Sequence, residues 1–269
     1  MKRQILGLVR SSGLLRQADR LMLLRSKLSS RARNRAFALA HPDLAMPPDD
    51  LSFDAYHHVD RAAYFEVGRR HAEVYAAAIR ASGIGKRLDI LEWGCGPGRL
   101  IRNMRDCLAG YEVTLTGTDV NSRSVAWCAA HVPGASFLPN GFLPPLPFPD
   151  ASFDVTYNFS VFTHLSVPSQ LAWARELYRV LRPGGLLVCS THGDVYRARL
   201  AQRDEAAAYD AGEVVVQERY DEGKKWYLAL HPPRYVRDTL LAAFTDVRAI
   251  AVPPEAGLSQ DLWSARKPA

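Results

Sequence analysis

Apolar positions change texture twice along the chain. From Leu14 onward, Leu14, Ala18, Leu21, Leu24 and Leu28 recur at helical spacing between arginines, which predicts an amphipathic helix. Pro42, Pro47 and Pro48, followed by Asp49 and Asp50, break that pattern and place a boundary near residue 50. A second helical stretch carries Tyr56, His57, His58, Tyr64 and Phe65 into Val67–Ile79. It reads equally as a helix covering a sheet edge and as a cap whose aromatics close over a ligand. From residue 88 short apolar runs alternate with helical patterns. Leu88–Trp93, Glu112–Thr118, Ala135–Leu138, Phe153–Asn158 and Leu186–Thr191 read as strands. Arg99–Leu108, a helix capped by Asn121, and Pro168–Leu181 fill the gaps between them. This alternation predicts an α/β fold with a Rossmann-like, mostly parallel sheet and helices on both faces.

After Gly193 the alternation stops. Residues 194–231 hold a polar helical stretch and then the runs Glu213–Arg219 and Trp226–Leu230, which read as an insertion forming part of a substrate wall. Pro232–Phe244 reads as a helix, and Thr245–Val252 and Asp261–Arg266 as closing strands. The organisation expected is a helical arm over 1–50, a cap over 51–87 and a main domain over 88–269.

Composition narrows the class. With 269 residues, 48% apolar and 23% charged, the chain suits one large α/β domain with additions and excludes wholesale disorder. No run of about 18 apolar residues is present to span a bilayer. The net charge of +6 is unevenly placed: residues 1–40 hold ten cations against Asp19, a local +9, so the remainder is −3. A nucleic-acid enzyme would concentrate its cations around the active site, so nucleic acid is disfavoured as a partner. Three readings of the arm stand side by side. It packs its leucine stripe on the body, or it lies on an anionic membrane surface or partner protein, or it is an organelle transit peptide. The apolar stretch Ile5–Val9 is cut off at Arg10, too short for a secretory core. Cys95, Cys107, Cys128 and Cys189 form no C-x-x-C pair, so they read as isolated thiols in a reducing compartment. A cytoplasmic location is expected, with membrane association through the arm.

The chemistry begins at the first strand. Ile90-Leu91-Glu92-Trp93 runs into Gly94-Cys95-Gly96-Pro97-Gly98 and then a helix, so the loop sits at the carboxyl end of a strand, where open α/β sheets bind ligands. The dinucleotide fingerprint needs glycine at position 99, which is Arg99, and no Gly-Lys-Ser/Thr follows for a phosphate-binding loop. Glu92 suits a ligand bearing an ammonium group better than a pyrophosphate. S-adenosylmethionine, with its free amino acid end and cationic sulfonium, meets those demands. Asp119 ends the second strand 21 residues beyond Gly98, where a carboxylate accepts from both ribose hydroxyls. Val120 is placed to lie on one adenine face.

On these residues the chain resembles the class I S-adenosylmethionine-dependent methyltransferases, with a type 11-like methyltransferase domain. The stretch Ile90–Gly98 is similar to that family's first motif, and Arg182-Pro183-Gly184-Gly185 after a helix is a second match. The resemblance covers roughly residues 88–192. It implies a seven-stranded sheet with the last two strands paired antiparallel at its edge. It also implies cofactor contacts from Glu92, Gly94, Cys95, Gly96, Gly98, Asp119, Val120, Asn140, Gly141, Phe142, Asn158 and Phe159. Asn140 stands where many members have aspartate, and its amide oxygen can still accept from the adenine amino group.

The loop Asn158–Leu165 lacks the Asn/Asp-Pro-Pro-aromatic motif of nucleobase amino methylation, and no Pro-Cys pair marks attack at cytosine C5. The expected acceptor is therefore a small molecule or saccharide, methylated on a hydroxyl. A hydroxyl needs a base, and His164 and His192, after the fourth and fifth strands, are the candidates. No cluster of Asp and Asn follows strand four, so no metal is expected. The alternatives are an RNA methyltransferase gripping phosphates with the arm, or a non-catalytic protein that keeps the cofactor site.

Overall fold

A computed structural model describes residues 14–200, 202–217, 221–224 and 226–269. The cations Lys2, Arg3 and Arg10 and the stretch Ile5–Val9 lie outside them. The chain divides into two units, residues 1–68 and 69–269.

In the first unit, helix α1 spans Leu14–Ala40 and α2 spans Asp49–Tyr56; α3, Arg61–Ala81, begins here and continues into the second unit. The leucine stripe does not pack: Leu21, Leu24 and Leu28 are 67%, 54% and 65% exposed. The helix docks through the opposite face instead, where Ser30 and Phe37 are buried. Ser26 Oγ accepts from the Val59 amide at 3.2 Å. The Asn34 amide donates to the Val59 carbonyl at 2.7 Å and accepts from the Arg61 amide at 2.9 Å. Polar side chains rather than leucines make the docked face for a physical reason. The connecting segment before α3 carries backbone polar groups that must be paired when covered, and leucines cannot pair them. Arg33 adds an ion pair to Asp60 at 2.7 Å, and Asp60 caps α3 by accepting from the Ala63 amide.

The second unit is built on a seven-stranded sheet. Its strands are β1 (Arg87–Trp93), β2 (Glu112–Asp119), β3 (Ala135–Pro139), β4 (Phe153–Asn158), β5 (Leu181–Thr191), β8 (Thr245–Ile250) and β9 (Asp261–Arg266). The order is β3-β2-β1-β4-β5-β9-β8, and β9 alone runs against the rest. Helices α4 (Ile101–Cys107), α5 (Ser122–His131) and α6 (Val167–Val180) connect the parallel strands. β1 is central, with Ile90 opposite Leu115 on one side and Val155 on the other. Its alternate residues feed two cores, which is why it reads as a continuous apolar run. Ile90 packs with Tyr75, Ile79 and Met104, while Leu91 and Trp93 pack with Phe162, Trp173 and Leu177.

The 194–231 insertion folds as α7 (Asp194–Arg197), α8 (Arg203–Asp210) and a separate antiparallel pair, β6 (Val215–Gln217) with β7 (Leu228–Leu230). The stretch expected as one helix over 232–244 is different. A short turn at Pro233–Tyr235 leads into a π-helical turn at Val236–Leu240, with the Leu241 amide donating to the Val236 carbonyl. Val236, Leu240 and Leu241 are all buried along this segment.

Candidate functional site

The strand order reverses between β1 and β4, so the crevice at their carboxyl ends is the natural ligand position in this sheet. The loop after β1 holds Gly94, Gly96 and Gly98 at φ of +76°, +51° and +78°. A β-carbon on Gly94 would also stand 2.3 Å from Val161 Cγ2, so sterics as well as torsion demand glycine there. The amides of Gly94 and Cys95 both donate to the Thr118 carbonyl, at 2.8 and 2.9 Å. The loop is thereby tied to the end of β2.

Asp119 completes the tie. Its Oδ2 accepts from the Gly96 amide and its Oδ1 from the Asn121 amide, both at 2.7 Å. Asn121 in turn caps α5 by accepting from the Arg123 and Ser124 amides, as the sequence leads one to expect. The carboxylate thus fastens the glycine loop to the next helix, in addition to facing the crevice. Cys95 is buried, with its sulfur on the Gly96 carbonyl, where Cys128 also donates; what it offers the loop is backbone.

Glu92 is buried and accepts from the Tyr157 hydroxyl at 2.9 Å. Burial pushes its carboxyl up from 4.5 to about 8, against the pull of Tyr157, the Ile101 amide and Arg99.

Several polar atoms in this crevice are buried and without a partner among the described residues: Asn140 Oδ1, Thr118 Oγ1 and both amide atoms of Asn158. Val120 and Phe142 are exposed apolar groups after β2 and β3, 56% and 39% accessible. The Phe142 ring lies against Gly223 of the insertion, whose β-carbon would come within 2.5 Å of it. Phe159 is flanked by His71 at 5.1 Å and by the Arg99 guanidinium at 5.2 Å. Left-handed glycines, a free amide acceptor, apolar faces and a buried acid are a donor set that fits S-adenosylmethionine.

The other end of the site follows β4 and β5. Ser160, at φ +60°, donates its amide to Ser190 Oγ at 2.8 Å. Ser190 Oγ donates to Gln260 Oε1 at 2.6 Å, and Gln260 Nε2 donates to Ser160 Oγ at 2.8 Å. His164 lies in a single 3-10 turn, Phe162–His164; its Nδ1 is 2.8 Å from the Tyr227 carbonyl and its Nε2 is 3.5 Å from Ser160 Oγ. A carbonyl only accepts, so Nδ1 carries the proton and Nε2 keeps its lone pair. His192 lies 6.2 Å from His164, ring to ring, stacks on Tyr196 at 3.8 Å and has Nε2 at 3.3 Å from Gln260 Nε2. Burial lowers the His164 pKa. It lowers His192 to about 3, helped by His164 and His231, and it lowers His231 to about 3. Burial thus favours the neutral form of all three rings.

The insertion closes on this end. The Gly223 amide donates to the His164 carbonyl, Glu222 accepts from the Ser166 amide, and the His231 amide donates to the His192 carbonyl. Tyr157, Gln260, Ser160 and Tyr227 did not stand out in the sequence. Tyr157 sits in strand alternation that reads as core, and Gln260 meets Ser160 from 100 positions away. No group of three His, Cys, Asp or Glu able to hold a metal is present among the described residues.

An open α/β sheet with a Glu-x-Gly-x-Gly-x-Gly loop and an acid ending the second strand defines the class I methyltransferase architecture. Residues 90–185 match the family described as a methyltransferase domain. The chain is 40% identical over 124 residues to a probable S-adenosylmethionine-dependent methyltransferase of Mycolicibacterium smegmatis, covering 46% of this chain and 44% of that one. It is 30% identical over 131 residues to a malonyl-[acyl-carrier protein] O-methyltransferase of Hahella chejuensis, covering 48% and 46%. It thus spans less than half the length of these curated relatives. Its fold is similar to that of the Burkholderia thailandensis 1,6-didemethyltoxoflavin-N1-methyltransferase, solved with S-adenosylhomocysteine. There the TM-score is 0.52 at 20% identity, covering 84% of this chain and 92% of that one. Residues 90–185 are therefore a class I S-adenosylmethionine-dependent methyltransferase domain, and the cofactor is S-adenosylmethionine.

Proposed function

We propose that the protein transfers a methyl group to a hydroxyl of a small-molecule or saccharide acceptor, with His164 as the base. The observation that carries this is the tautomer of His164. Its Nδ1–H is committed to the Tyr227 carbonyl, and its Nε2 lone pair faces Ser160 Oγ at 3.5 Å in the turn after β4. Bound cofactor supplies a methyl group on a cationic sulfur, ready for in-line displacement. The glycine loop, Asp119, Asn140 and Asn158 hold that cofactor; Phe142 and the insertion wall exclude water and orient the acceptor. His164 Nε2 would take the acceptor's hydroxyl proton while the methyl group passes from sulfur to oxygen and the sulfur leaves as a neutral thioether. His192, with its lone pair turned to Gln260, positions the neighbouring Ser160–Gln260 network. The O-methyltransferase among the relatives supports transfer to an oxygen. Residues 1–40 attach the protein to an anionic surface or partner. No helix among the described residues is long and apolar enough to cross a membrane.

The test is incubation of the purified chain with methyl-labelled cofactor and extract fractions of small molecules, glycans, lipids and RNA. Label should enter a small-molecule or glycan fraction. Label in RNA alone would overturn the acceptor assignment, and calorimetry showing no cofactor binding would overturn the enzyme reading itself.

A further inference from the structure

A cleft of about 330 Å³ lies between α1 and the start of α3, within the first unit and using no residue of the methyltransferase domain. Lys27, Arg31, Arg35 and Arg61 line it against a single acid, Asp49. Lys27 pairs with Asp49 at 3.4 Å, which leaves three guanidinium groups facing the cleft. Arg61 Nε is buried and has no partner among the described residues. Its backbone amide donates to the Asn34 side-chain oxygen at 2.9 Å, which ties the start of α3 to α1. Planar guanidinium donors lining one concave surface suit a phosphate group.

Leu28 lines the same cleft and belongs to the exposed row Leu21, Leu24 and Leu28. That row faces away from the docked face marked by Ser26, Ser30 and Asn34, so α1 is held by one side and presents leucines on the other. Cations flanking an exposed leucine row are the layout of a helix lying at a lipid interface. A binder of free anions or RNA has no use for the leucines.

We infer that this cleft binds the phosphate of an anionic lipid headgroup while the leucine row enters the acyl boundary of the same bilayer. The docking surface and the phosphate site are one device, and the +9 charge of residues 1–40 supplies the attraction toward it. The inference rests on reading residues 1–40 as an attachment surface, and it is independent of methyl transfer.

The experiment is co-sedimentation of the full chain with phosphatidylcholine vesicles, with and without about one quarter phosphatidylglycerol. The wild type should favour the anionic vesicles by at least about tenfold. Arg31→Gln with Arg35→Gln, both exposed side chains, should remove about tenfold of that preference. Leu24→Ser with Leu28→Ser should release the protein from both vesicle types by a similar factor. Inorganic phosphate at equal phosphate concentration should displace little. Full displacement by inorganic phosphate would make the ligand a free anion and overturn lipid docking. Retention indifferent to the anionic lipid would overturn the phosphate site alone, and no retention on either vesicle would overturn the attachment reading with it. A short RNA bound more tightly than vesicles, and unaffected by the leucine changes, would overturn the lipid in favour of a polynucleotide.

Discussion

Around the glycine loop, the residues that shape the site are near neighbours in sequence. The Gly96–Asp119 bond closes over 23 positions, within one strand–loop–helix–strand unit. Around His164 the equivalent bonds close over 63 positions to Tyr227, 70 from Ser190 to Gln260 and 100 from Ser160 to Gln260. The cofactor end is thus assembled by local turn chemistry on rigid strand ends. The His164 end is assembled by tertiary contact with an insertion and with the closing strand pair. A shared cofactor can be held by a local, repeatable device, while an acceptor pocket can be rebuilt by changing the segments that reach it.

The largest expected effect strikes the local device. Gly94→Ala places a β-carbon 2.3 Å from Val161 Cγ2 on a backbone at φ +76°. The left-handed torsion alone costs about 1–2 kcal/mol. With the overlap, a loss of roughly 3 kcal/mol or more is expected, seen as a lowered melting temperature and at least about a hundredfold weaker cofactor binding by calorimetry. Because Val161 belongs to the acceptor-side loop, Gly94→Ala combined with Val161→Ala sharpens the comparison. It should recover the steric part and leave the torsional part. Complete recovery would show that the glycine serves packing alone.

His164→Gln tests the other end. Glutamine keeps a donor for the Tyr227 carbonyl but removes the proton acceptor, so turnover should fall by about 10²–10⁴-fold. Cofactor affinity should stay within about twofold, since nothing in the glycine loop touches the ring. Steady-state rates beside calorimetric affinities check both halves. A parallel loss of affinity would mean that the two ends are not separate.

This division also explains what was legible beforehand. The alternation of strands and helices, the left-handed glycines, the cap at Asn121 and the acid at Asp119 all depend on residues within one turn or one strand–helix unit. Their signals survive in a single sequence. The edge strands were legible too, as the two closing strands that the resemblance pairs antiparallel. The π-helical turn at Val236–Leu240 was not, since it is set by which residues the core must accept rather than by local preference. The docked face of α1 is not legible for a related reason. Its leucines carry the obvious period, but the segment it holds needed hydrogen-bond partners, and Ser26 and Asn34 supply them. At the acceptor end His164 and His192 were visible as residues after strand ends, whereas Tyr227 and Gln260 became relevant only once distant segments met.

The smallest effect concerns the residue that joins the two ends. Tyr157 stands on β4, yet its hydroxyl donates to Glu92 on β1. Burial raises the Glu92 carboxyl above its ordinary 4.5 to about 8, with Tyr157 restraining the rise. A folded-state pKa above the unfolded one means that folding takes up a proton. The stability Glu92 contributes is therefore full below 4.5 and is lost as pH rises through about 8. Tyr157→Phe removes a donor that favours the charged carboxylate. Below about 8 the protonated acid loses little beyond an ordinary hydrogen bond, about 1 kcal/mol. Above it the carboxylate loses a charge-assisted bond, about 1.5–3 kcal/mol. The gap in melting temperature between wild type and Tyr157→Phe, measured without cofactor, should thus widen as pH rises past about 8. In a Glu92→Gln background, where nothing titrates, the gap should no longer change with pH. A gap constant with pH in the wild-type background would show that Glu92 does not titrate there, and that the acid at the cofactor end is set without help from β4.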